Sequence, residues 1–199
     1  MKKGVRKMLA KAPAACLLAF ILLSACRTPA ETPSLHIKED MDFSFIKRVA
    51  VLPFRNLSAY EGGDEIIRSY VSNELLASGL VDVVVPGDVF TGLSQTGVKN
   101  ITSLSAGEIQ AVGKALKVQA VVFGTIEVWR EIQSGTVGVP EITLTIIMAD
   151  TSSGNIIWSV TRMEGGGNFS SRHLGFQSDT MSKVGLRAVK NAVRTLSEY

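Results

Sequence analysis

The sequence predicts an α/β (α+β) fold: a single mixed β-sheet of about five strands, in the order β-α-β-α-α-β-β-β-α, with helices packed on the sheet. Three observations lead there. Hydrophobic residues make up 46% of the 199-residue chain, which excludes a disordered polymer. Between positions 46 and 116, short apolar runs alternate with segments of helical period, the pattern of parallel crossovers. From 118 to 164, three apolar runs follow one another with short turns between them, the pattern of an antiparallel meander.

Each element has its own signal. Residues 46–54 (IKRVAVLPF) form an apolar run stopped by Pro53, a buried strand. Residues 64–78 carry Ile66, Ile67, Tyr70, Val71, Leu75 and Leu76 at helical spacing, with Asp64 and Glu65 in the first turn. Gly79 is placed as the left-handed residue after that helix, with Leu80 folding back on it. Residues 80–85 are the next strand, ended by Pro86-Gly87, and 88–95 a short helix. Ser105 and Glu108 match a capping box, which opens a helix with Ile109, Val112 and Leu116 on its core face. The meander strands are 118–133, 141–150 and 155–164, with turns at 134–139 and 151–154. Residues 165–178 read as a Gly/Ser-rich loop, and 179–197 as a final helix facing inward through Met181, Val184, Ala188, Ala192 and Leu196.

The formal net charge of +3 misleads, because five of the basic residues lie in the first 11 positions. From residue 26 onward there are 16 basic and 18 acidic residues, so a nucleic-acid partner is not expected. The N-terminus reads as an address. A basic stretch precedes the apolar run of residues 12–23, which is too short to span a bilayer and right for a signal-peptide core. The run ends in Leu23-Ser24-Ala25-Cys26, which resembles a bacterial lipobox. That resemblance implies removal of residues 1–25 and acylation of Cys26, with diacylglycerol and palmitate as the anchor. It also implies a periplasmic-side protein. Arg27, in place of the Asp that retains enterobacterial lipoproteins at the inner membrane, favours the outer membrane. Residues 26–45, with Pro29 and Pro33, read as a lipidated N-terminus and tether; His36 there is expected to be solvated. Phe43, Phe45 and Ile46 form a lead-in that packs on the domain of residues 46–199.

Searches for chemistry return little. Two Cys and two His leave no disulfide framework and no Cys/His zinc site. Gly113-Lys114 lacks the spacing of a phosphate loop, and Gly165-Gly166-Gly167 that of a dinucleotide fingerprint. Ser170, Ser171, His173 and Asp179 hold the residue types of a hydrolase triad but crowd into one loop without a nucleophile elbow. Glu61, Asp64 and Glu65 read as acids at a helix N-terminus rather than as metal ligands. Trp129 and Trp158 sit on strands among apolar neighbours and read as sheet packing, with a partner surface as the alternative. No catalytic residue, cofactor or metal is expected.

Four stretches carry a family resemblance: residues 47–54 (KRVAVLPF), 75–84 (LLASGLVDVV), 120–126 (AVVFGTI) and 150–159 (DTSSGNIIWS). Together they resemble the curli-assembly lipoprotein (CsgG) superfamily, which includes the penicillin-binding-protein activator LpoB and the N-terminal domain of TolB. The resemblance covers residues 46–199 and implies an envelope binding or assembly component, not an enzyme. In the curli channel, each subunit lends two long hairpins to a membrane barrel. A membrane strand needs about 9–11 residues. The turn at 134–139, the 14-residue loop at 165–178 and Pro140 leave no room for two such insertions. The expected function is a non-catalytic, lipid-anchored adaptor or an assembly or transport accessory factor with envelope protein partners, compatible with a homo-oligomer. The alternatives are an oligomeric curli-type secretion channel component and a small periplasmic hydrolase built around His173.

Overall fold

The computed structural model describes residues 34–39, 41–98, 100–101, 103–134, 137–166 and 179–198. The element order is β1 (Ser34–Ile37), a 3-10 turn (Phe43–Phe45), β2 (Arg48–Val51), β3 (Arg55–Asn56), α1 (Gly63–Ser78), β4 (Asp82–Val83), α2 (Pro86–Thr96), α3 (Ala106–Leu116), β5 (Ala120–Ser134), β6 (Val137–Asp150), β7 (Ile156–Gly165) and α4 (Met181–Ser197). All strands belong to one mixed sheet in the order β1-β7-β6-β5-β2-β4, with β3 pairing further along β5. The pairs β2–β4, β2–β5 and β3–β5 are parallel; the meander β5–β6–β7 and the pair β1–β7 are antiparallel.

The expected mixed sheet with helices packed on it is present, with seven strands rather than about five. One addition comes from the segment read as tether. Ser34–Ile37 pairs with Thr161–Trp158, because extended backbone next to an open sheet edge satisfies its polar groups there. The other is Arg55–Asn56, held by the Leu57 N–H donating to the Ile126 carbonyl and by the Asn56 side-chain turn onto Ser58. A second difference concerns Pro140. The turn is tighter than the expected 134–139, and β6 runs through Pro140, paired with Glu131. Its missing N–H costs nothing in the ladder where its carbonyl is the group in use, accepting from Gly166 N at 2.7 Å.

The two faces of the sheet are clad differently. On one, α1 and α4 cover Val49, Val51, Ile126, Trp129, Ile142, Leu144, Ile146, Met148 and Trp158. On the other, the apolar residues of α2 and α3 pack with Ala50, Leu52, Val121 and Ala149. Further along that second face lies a half-buried row, Thr125–Thr145–Thr161, in register across β5, β6 and β7. The hydroxyls of Thr145 and Thr161 are 2.9 Å apart.

The predicted helix signals hold in atomic detail. Gly79 ends α1 at φ 69°. Ser105 and Glu108 form the reciprocal capping box. Trp158 is buried and its indole N–H donates to Thr195 Oγ1 at 3.0 Å, while Trp129 lies in the core between α1 and α4. Neither Trp is available as a partner surface. Ile46 is buried and Phe43 packs on the core, but Phe45 faces solvent. Leu76, read as part of the core face of α1, is exposed.

Candidate functional site

Leu23, Ser24, Ala25 and Cys26 lie outside the described residues, as do Ser170, Ser171 and His173. The fourth residue of the hydrolase constellation, Asp179, is described. It accepts from Arg187 Nη1 at 2.7 Å and pairs with Lys183 Nζ at 2.6 Å. Those two bonds, Lys183 first, hold its carboxyl below the usual value. Arg187 also bonds Glu164 and the Gly165 carbonyl, so this cluster ties the start of α4 to the end of β7. Asp179 is thus engaged in structural ion pairs.

Glu65 accepts from Arg68 one turn later, and among the described residues no group of three His, Cys, Asp or Glu could hold a metal. Gly113 lies inside α3, where a Cβ would fall 2.2 Å from Thr151 Cβ. It is a packing glycine, not a phosphate cradle. Gly165 closes β7, Gly166 bonds Pro140, and Gly167 lies outside the described residues. His36 is exposed on β1, opposite Ser159.

Asp150 is not singled out by the sequence, yet among the described residues it accepts four hydrogen bonds. Burial alone would raise its pKa. Bonds from the hydroxyls and amides of Ser152 and Ser153 outweigh burial and lower it. The turn this carboxylate closes has Gly154 at φ 76°, against Ala106 at the start of α3. It is a scaffold feature.

What the structure offers to a partner is surface. Eleven large hydrophobic side chains are exposed among the described residues, and four of them lie around one sheet edge: Leu76, Leu80, Val85 and Phe90. That edge strand, β4, has only two residues, and Pro86 at the first position of α2 prevents its extension. Beside it is a cavity of about 320 Å³ bounded by α1 and the β4–α2 connection, with Arg68, Ser72, Leu76, Val85 and Pro86 in its wall. Arg68 is buried along its stem, bonds Glu65 and stacks over the Phe90 ring at 5.1 Å. A second cavity, about 420 Å³, lies at the end of α1 beneath the 3-10 turn, lined by Met41, Phe43, Leu75, Leu80, Met148 and Leu196. Leu80 belongs to it and Leu76 to the first, so the last turn of α1 joins the two. Leu76 and Leu80, read from the sequence as packed inward, are both exposed here. Nothing in the sequence marks the stacking of Arg68 on Phe90.

Neither a protein-family model nor a curated protein sequence matches the chain. Among solved structures, it is similar to a PelC dodecamer from Paraburkholderia phytofirmans (TM-score 0.56, 19% identity, covering 81% of this chain and 96% of that one). It is also similar to lipoprotein GNA1162 from Neisseria meningitidis (TM-score 0.55, 15% identity, 77% and 99% covered). A third likeness is to the hypothetical protein CT253 from Chlamydia trachomatis (TM-score 0.51, 13% identity, 77% and 97% covered). At these identities the likeness is one of fold, and it spans nearly the whole of each of those chains.

Proposed function

We propose that the chain is an envelope lipoprotein, anchored through Cys26 on the periplasmic face of the bacterial outer membrane, that works as a non-catalytic adaptor or assembly and transport accessory factor. The observation that carries this reading is the apolar surface around β4, where Leu76, Leu80, Val85 and Phe90 are exposed together. Exposed apolar side chains gathered at one edge suit a protein partner. The lipobox supports the anchor, and likeness to a chain described as a lipoprotein agrees with it. Among the described residues, no helix is long and apolar enough to cross a membrane.

Self-association is favoured by one further observation, the fold likeness to a chain described as a dodecamer. A pore is not part of the proposal. Past the last residue of β7, the β5–β6 hairpin continues for only four residue pairs, Glu131↔Pro140 to Ser134↔Val137. A membrane strand needs about 9–11 residues.

The test uses the lipidated protein in detergent and in envelopes. A photo-crosslinking residue at Phe90 is expected to capture either a second copy or a defined envelope protein, and Val85→Glu to abolish that capture without unfolding the domain. Equal capture from Phe90 and from exposed positions on α4 would refute the assignment of the surface. Palmitate labelling of Cys26→Ser at the wild-type level would refute the anchor.

A further inference from the structure

We propose that copies of this chain join edge to edge, β1 of one pairing antiparallel with β4 of the next, so that one sheet continues through the assembly. This rests on the preceding reading of the β4 surface and names its occupant as a second copy of the chain.

The first observation is that the sheet has two open ends. Among the described residues, no strand lies beyond β1 or beyond β4. Asp82 N–H donates to the Lys47 carbonyl and Val84 N–H to the Val49 carbonyl. The backbone groups of Val83 between them therefore turn outward, away from β2. Lys38 N–H donates to the Ile157 carbonyl, so by the same alternation Ile37 and Leu35 turn theirs away from β7. Unpaired groups of this kind are a template for a further strand. The directions agree as well. β4 runs parallel to β2 and β5, and β1 runs opposite to them through the β5–β6–β7 meander. A second copy set beside β4 in the same orientation thus presents its β1 antiparallel.

The second observation is that the two edges carry complementary charge. Setting Ile37 of the second copy opposite Val83 makes that the hydrogen-bonded pair and brings Lys38 of that copy opposite Asp82. Both charged residues are exposed, and among the described residues neither makes an ion pair. They meet at a non-hydrogen-bonded pair, where Cα atoms are about 4.5 Å apart and side chains come closest. Arg48 of β2 stands on the other side of Asp82, so signs alternate along the row. One step further, Glu39 of the second copy reaches Val81, which lines a cavity together with exposed Lys47. A pairing of β4 with a second β4 would leave Asp82 without a cation.

The apolar side chains match by face. Val81, Val83 and Ile37 pack on the core beneath α1 and α4, and Leu35 is opposite Val160 of that core. In this register Leu35 of the second copy arrives at Val85, beside the 320 Å³ cavity with Leu76 in its wall. Leu35, Leu76 and Val85 are all exposed in the single chain, and the join covers them. Each copy offers a different edge to each of its two neighbours, an arrangement that generates a closed ring or an open filament.

Within one copy, β1 and β4 lie five strand spacings apart, about 24 Å. A disulfide bridges Cα atoms no more than about 7 Å apart, so one between positions 38 and 82 joins two copies. The experiment oxidises the full lipidated protein, in detergent and in envelopes, with wild type alongside as the control for Cys26. Lys38→Cys/Asp82→Cys is expected to give a ladder of dimers, trimers and larger species on non-reducing gels. A mixture of the two single variants is expected to stop at dimers, and each single variant alone to give none. Thermal melts verify that each variant is folded. Lys38→Ala and Asp82→Ala are each expected to weaken self-association by about twofold to fivefold at low salt, and the double variant by no more than either. No ladder from the double-cysteine protein, while Phe90 still captures a second copy or an envelope protein, overturns the edge pairing and leaves the β4 surface intact. Crosslinked dimer from Asp82→Cys alone does the same, since it marks a two-fold contact. Capture from Phe90 no stronger than from α4 refutes the surface, and the edge pairing with it.

Discussion

Gly185 sits inside α4, where general helix energetics favour alanine by about 0.8–1 kcal/mol. The packing argues the reverse. A Cβ at Gly185 would lie 2.7 Å from Cζ2 and 3.2 Å from Cη2 of Trp129. That indole is 1% exposed and cannot retreat, because a Cβ position at Gly63 on α1 already lies 3.0 Å from its Cε3. Two glycines on two helices thus clamp one ring. Overpacking a site of this kind costs about 1–3 kcal/mol. The balance for Gly185→Ala is a net loss of about 1 kcal/mol, or a decrease in Tm of about 2–4 °C for a domain of this size. The assay is thermal and urea unfolding of a soluble form of residues 27–199, in a double-mutant cycle with Trp129→Phe. In the phenylalanine background the clash is gone, and the same Gly185→Ala change is expected to stabilise by about 0.8 kcal/mol. The Trp129 indole N–H has no partner among the described residues, so the Phe replacement forfeits no hydrogen bond to them, only volume. A rise in Tm for Gly185→Ala in the wild-type background would refute the clamp.

Gly79→Val is expected to destabilise by about 1–2 kcal/mol through backbone strain alone, since φ is 69° and no atom lies within 4 Å of the added Cβ; an unchanged melting temperature would contradict this. Asp150→Asn replaces with an NH2 group one of the two carboxylate oxygens that together accept from four donors and should cost about 1.5–3 kcal/mol, measured by urea unfolding at pH 7. Asp150 and Asp179 both have lowered pKa values in the folded state, so their contribution is complete above the unfolded value near 3.8 and is lost as pH falls below it. Stability should therefore be flat from pH 7 to 5 and fall below about pH 4, with the fall shallower in Asp150→Asn.

Elements set by local signals were legible in the sequence. Gly79 needs only a left-handed residue after a helix, and Ser105 with Glu108 needs only each other. The meander was legible because its three apolar runs are separated by short turns. What escaped depends on neighbours distant in the chain. Ser34–Ile37 has no strand period of its own; it is a strand because β7 leaves an edge free. Arg55–Asn56 is paired only because β5 is long enough to continue beyond β2. Pro140 looks like a breaker, and sequence cannot say which of its backbone groups the ladder uses. The candidate surface was not legible. The sequence places Leu76 on the core face and folds Leu80 back on the helix, yet both are exposed, and Arg68 stacked on Phe90 joins residues 22 positions apart and has no local sign.

The pairing of β1 with β7 also decides how the domain bears force. A tug arriving from the Cys26 side would pull Ser34 along the axis of its own strand, away from Ile37 and parallel to β7. In an antiparallel pair the hydrogen bonds lie across that direction, so all of them would be loaded at once in shear instead of being opened one after another. Lys38 N–H, bonded to the Ile157 carbonyl at 3.0 Å, extends the same seam by one more bond. Four residues of strand would thus act as a strain relief between the proposed anchor and the core, taking the pull before it reaches β6 and β5 in the middle of the sheet.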